Sequence, residues 1–102
     1  MLKKLADKKN KIDKEVNRMF DILENIKDDN VKSKMLGMIA KQNIISDKLK
    51  LEIYELIESK ECNDLYKTIL IKRYIEGYKA SQISNDVAYS KRHVERILKE
   101  YI

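Results

Sequence analysis

The chain has no proline, one cysteine, one histidine and only two glycines in 102 residues. Proline and glycine supply the turns of all-β folds, so their scarcity predicts an all-α protein. A lone cysteine, Cys62, makes no internal disulfide, and an uncapped thiol fits a reducing cytosol. One cysteine and one histidine are too few for a zinc finger, so no metal or other cofactor is expected. A Cys–His nucleophilic pair would have to join Cys62 to His93, and neither stands beside a glycine-rich elbow or loop. Gly37 and Gly77 stand alone, so the phosphate-cradling glycine motifs are missing. A binding module is expected rather than an enzyme.

Long apolar runs are missing too. No stretch approaches the ~18 uninterrupted apolar residues of a membrane span. Leu2 and Leu5 are surrounded by Lys3, Lys4, Lys8 and Lys9 rather than by the apolar core of a secretory leader. A cytoplasmic location is the expectation.

What the chain has in quantity is charge. Charged side chains make up 38% of it, with a formal net charge of +5. A net charge of that size is modest for a nucleic-acid binder, so its placement matters more than its sum. Residues 1–14 hold six lysines against Asp7 and Asp13. Spread along a helix, they read as a solvated face. A second cluster, Lys91, Arg92, His93, Arg96 and Lys99 against Glu95 alone, falls at a more telling place.

Hydrophobic spacing divides the chain into segments. Over about residues 2–28, Leu5, Ile12, Val16, Met19, Leu23 and Ile26 fall on one helical stripe that Leu2 continues and Lys9 interrupts. Asp28, Asp29 and Asn30 break this helix and offer capping oxygens to the next. Over about 31–59, Val31, Met35, Met38, Ile45, Leu49 and Leu56 repeat the pattern, with Gln42 and Glu52 at the remaining seam positions. A parallel set, Ile39, Ile53 and Ile57, widens the apolar face toward a second neighbour. The two stripes predict a helical hairpin or coiled coil over 1–60 that serves as an oligomerisation arm. Gly37 either permits close helix packing or has no role.

Residues 61–102 change character and predict a three-helix domain. Asn63 caps a helix over 64–75, which Gly77 ends in the left-handed conformation. A short helix over 80–87 turns Ile83 and Val87 inward. After a tight turn at Ala88 and Tyr89, Ser90 caps a last helix over 91–101 that buries Val94, Ile97 or Leu98, and Tyr101. Two short helices joined this way describe a helix-turn-helix, whose second helix enters the DNA major groove by its N-terminal residues. Here those are Ser90, Lys91, Arg92 and His93, with Glu95, Arg96 and Lys99 beyond them. Lys79, Ser81 and Gln82 join them as candidate DNA contacts. Lys91 and Arg92 are suited to guanine O6 and N7, and Ser90 to phosphate.

The segment LYKTILIKRYIEGYKASQISNDVAYSKRHVERILKEYI resembles the region 4 helix-turn-helix of sigma-70 factors. It resembles still more the small phage and prophage proteins with that fold, such as late transcription regulators of the ArpU/RinA type. Leu70, Arg73, Tyr74, Gly77, Ile83, Val87, Tyr89, Ser90, Arg92, Val94, Arg96 and Ile97 carry the likeness, which covers about the last two-fifths of the chain. The chain departs from the pattern at Ser84, where alanine is usual, and at Ala88, where glycine is usual. Lys79, Ala80 and Gln82 stand where tryptophan or acidic residues are common. The resemblance implies a transcription regulator on double-stranded DNA, with RNA polymerase as a further partner. A homodimer, or a higher homo-oligomer, doubles the base contacts of one small reading helix. The competing expectations are a ring-forming, small-terminase-like packaging subunit and a helical adaptor that binds RNA polymerase.

Overall fold

A computed structural model describes residues 1–101, which form five α-helices with no strand among them. Helix α1 spans Leu2–Leu23, α2 Asp29–Glu58, α3 Asp64–Tyr74, α4 Ala80–Val87 and α5 Lys91–Glu100. None is long and apolar enough to cross a membrane.

Helix α1 stops five residues short of the expected end at 28. Past Leu23 the chain tightens, as the amides of Asn25 and Ile26 donate to the carbonyls of Ile22 and Leu23. Asp28 is then extended and accepts from the amides of Asn30 and Val31, so it starts α2 two residues earlier than Val31. Ile26 therefore lies in the connection, half-buried, rather than on α1.

The two long helices pack side by side and run antiparallel, with Asp13 of α1 bonded to Ser46 of α2 and Leu2 and Ala6 sharing a core with Ile53 and Ile57. Leu5, Ile12, Val16, Met19, Leu23, Ile26, Met35, Leu49 and Leu56 are wholly or partly covered within this chain. Val31, Met38 and Ile45 are exposed. The buried line of α2 runs instead through Ile39, Ser46, Leu49, Ile53 and Ile57. Its centre falls on the set expected to face a second neighbour.

Ser46 shows why. An apolar count turns Ile45 inward and Ser46 outward, and the structure does the reverse. The Ser46 hydroxyl donates to Asp13 Oδ1 at 2.7 Å, and Lys9 Nζ donates to Asp13 Oδ2 at 2.7 Å. A buried hydroxyl with a partner costs little, whereas one without costs about 1–3 kcal/mol. Burial raises the Asp13 carboxyl, but the bonds from Lys9 and Ser46 outweigh it and hold the group below its ordinary value of 3.8.

The remaining helices close over the foot of this pair. Ile53 and Ile57 of α2, Leu2 and Ala6 of α1, Ile69, Leu70 and Tyr74 of α3, Ile83 of α4 and Val94, Ile97 and Leu98 of α5 form one buried cluster. That cluster crosses residue 60, where the sequence changes character. Gly77 ends α3 at φ +75°, a conformation that side chains disfavour, and the Tyr78 amide closes back on the Lys72 carbonyl at 2.9 Å. Lys72 Nζ reaches Asp86 Oδ2 at 3.3 Å and ties α3 to α4. Gly37 has nothing within 4 Å of where a Cβ would sit, so no close helix approach requires it.

Candidate nucleic-acid interface

Helix α5 divides by face. Val94, Ile97 and Leu98 are buried, while Lys91, Arg92, Glu95, Arg96 and Lys99 are exposed on the other side. The apolar positions pin the helix to the core, and the four outward cations share the exposed side with Glu95 and, in the last turn, Glu100. Ser90 stands extended at the N-cap, where its Oγ accepts from the His93 amide at 3.2 Å. The backbone amides of Lys91 and Arg92 point out of the helix end without intrahelical partners, which favours an anion there.

Two of the polar side chains are held in place. Arg96 Nη2 lies 2.9 Å from His93 Nδ1. A guanidinium only donates, so Nδ1 is the acceptor of this contact. The Tyr89 ring meets His93 edge-on with centroids 4.7 Å apart. Lys91 Nζ lies 3.8 Å from Glu95 Oε1, an exposed i,i+4 pair of little energetic weight. Arg92 has no ion-pair partner among the described residues.

The structure brings the other expected residues to the same end of the molecule. Lys79 and Ser81, at the start of α4, line one groove with Lys91, Glu95 and Lys99 of α5. Gln82 is exposed, but its Oε1 accepts from the Lys79 amide at 2.9 Å and caps α4, which leaves only its NH2 free. Ser90, Arg92, His93, Glu95, Arg96 and Lys99 line a second shallow groove along α5.

Three further residues in the first groove were not expected there: Lys3 and Asn10 of α1, and Arg73 of α3. Arg73 Nη1 donates to the Tyr78 carbonyl at 3.2 Å, and Asp7 lies in the same groove. The lysines of α1 read as one solvated face, yet Leu2 and Ala6 are buried against the C-terminal helices and carry Lys3 with them. The signal was the apolar i,i+4 pair at the very start of the chain.

The turn between α4 and α5 involves two of the residues at which the chain departs from the pattern it resembles, Ala88 within it and Ser84 in α4. Ala88 adopts φ 59° and ψ 29°, the left-handed conformation where glycine is usual. The Ser84 hydroxyl, where alanine is usual, donates to the carbonyl of Tyr89 and braces the turn from within α4. A non-glycine residue in this region costs roughly 1–2 kcal/mol, and glycine returns about 0.4–1 kcal/mol of that through the freer unfolded chain. Ala88→Gly should therefore raise stability by about 0.5–1 kcal/mol in denaturant unfolding. An unchanged or lower midpoint would show that the turn is not strained.

No protein-family model, curated protein or solved structure matches this chain.

Proposed function

We propose that the protein is a DNA-binding transcription regulator of phage or prophage type, in which α5 reads the major groove. The observation that carries this reading is the outward face of α5. It presents Lys91, Arg92, Arg96 and Lys99 beside Glu95, from a helix whose first two amides have no intrahelical partner. Helix α4, the three-residue turn 88–90 and α5 form the helix-turn-helix of this reading, supported by the resemblance of residues 65–102 to sigma-70 region 4. Arg92 and Lys91 would donate to guanine edges. Ser90, Lys79, Ser81 and Lys99 would fix the protein on the phosphate backbone, which positions it without reading sequence. Glu95 is an acceptor suited to the cytosine amino group. A two-fold dimer would apply two such helices to two half-sites.

Selection of bound fragments from random or genomic DNA tests the proposal. A sequence motif should emerge, and affinity for it should fall steeply with salt, since each neutralised phosphate releases counterions. No binding to duplex DNA at ~50 mM salt would overturn the reading and leave a helical adaptor.

A further inference from the structure

Helix α2 carries a second apolar line that no other described residue covers. Leu36, Ala40, Ile44, Leu51 and Tyr54 share one side of the helix, about a third of a turn from Ile39, Ile53 and Ile57, with Asp47 between Ile44 and Leu51. Leu36 is 49% exposed, Ile44 55%, Leu51 57% and Tyr54 45%. The line is about 27 Å long at 1.5 Å per residue. Scattered exposed apolar residues are ordinary, but four large ones aligned on one face mark an interaction surface. We propose that a second copy of this chain covers it, α2 packing antiparallel against α2 about a two-fold axis near Ile45.

Charge decides both partner and direction. The first half of α2 carries Lys32, Lys34 and Lys41 against Asp29; the second half carries Asp47, Glu52, Glu55 and Glu58 against Lys48 and Lys50. Among the described residues, no ion pair forms between two α2 side chains, and Lys34, Asp47 and Glu55 have no ion-pair partner. The helix is thus complementary to its own reverse. Aligning Leu36 with Tyr54 of the other copy sets Lys32, one turn before Leu36, beside Glu58, one turn after Tyr54, which within its own chain meets Lys67 at 3.8 Å. It also sets Asn43 opposite Asp47 in the middle of the stripe, where a polar pair fixes register. Lys41 then approaches Lys48, the one like-charged meeting. A parallel pair would instead set Lys32 on Lys32, Asp47 on Asp47 and Glu58 on Glu58.

The arrangement deepens the DNA reading, on which only its consequence for spacing rests. Ile57, at the core shared with α5, lies twelve residues beyond Ile45. Doubled across the axis, that separates the two cores by about 36 Å along α2, close to the ~34–36 Å of one DNA turn between half-sites.

Light scattering on the whole chain, without DNA, tests the pairing. The expected mass is twice 12.1 kDa. Leu51→Glu should halve it while leaving helicity unchanged, because the side chain is exposed. Lys32→Glu should weaken the dimer at least several-fold, and adding Glu58→Lys should restore it. In a Cys62→Ser background, Leu36→Cys alone should give no disulfide-linked dimer, and Leu36→Cys with Tyr54→Cys should give one. A monomer, a ring, a linked dimer from Leu36→Cys alone, or no rescue by the double reversal would overturn the proposal. The mass is read without DNA and DNA affinity is read separately, so failure of one leaves the other standing.

Discussion

Replacing Ile57 by alanine should cost about 2–5 kcal/mol, the range for removing a fully buried branched side chain from a packed core. For a domain of this size that is a large part of the typical ~5–15 kcal/mol total. Ile57 is fully buried where the first turn of α1, the end of α2, α3 and α5 share one cluster. The loss should therefore appear in the long helices and the C-terminal helices alike. Far-ultraviolet circular dichroism reports mainly α1 and α2. Tyrosine fluorescence reports mainly the C-terminal part, since five of the six tyrosines lie beyond residue 60. The two unfolding curves should coincide in the parent protein and shift together in Ile57→Ala. Phe20→Ala, at an exposed position, should move neither by more than about 0.5 kcal/mol. Two separated transitions, with only one shifted, would mean that residues 1–60 and 61–101 fold as independent units.

The shared core also marks where sequence reading succeeds and where it stops. Features set by neighbours in the chain were legible. Asn63 and Ser90 accept from amides three residues on, as capping side chains should, and Gly77 takes the left-handed stop. The face of α5 was legible to within the choice of Ile97 or Leu98, both of which are buried, while Tyr101, expected in the core, is half-buried. Features set by distant residues were not legible. Ser46 faces inward because Asp13, thirty-three residues away, receives its hydroxyl. With Ile39, Leu49, Ile53 and Ile57 buried beside Ser46, Ile45 and Met38, which an apolar count places on the seam, are left exposed. Lys3 reaches the groove beside α5 because Leu2 and Ala6 dock on residues more than fifty positions later. Ser84 looked like a neutral departure from a pattern, and its bond to Tyr89 becomes visible only once the turn is built.

Arg92→Ala should weaken binding to the selected DNA site by about 1–3 kcal/mol, or roughly 5- to 150-fold, and relax sequence preference at one position. Arg92 is exposed, in the first turn of α5, and free of any ion pair among the described residues. The change should leave folding within about 0.5 kcal/mol, so the effect belongs to the interface. Lys99, exposed at the far end of the same helix, makes the contrast. If it meets phosphate, Lys99→Ala should weaken all duplexes alike and lower the salt slope by about one. Glu95→Gln should act in the opposite sense on unselected DNA, because it removes the only carboxylate on the outward face of α5 before Glu100 and frees Lys91. At the selected site it should lose affinity if Glu95 accepts from a cytosine. Parent-like affinity and preference after replacing Lys91 and Arg92 together would remove α5 from the interface. The groove shared by Lys3, Arg73 and Lys79 would then be the surface left to examine.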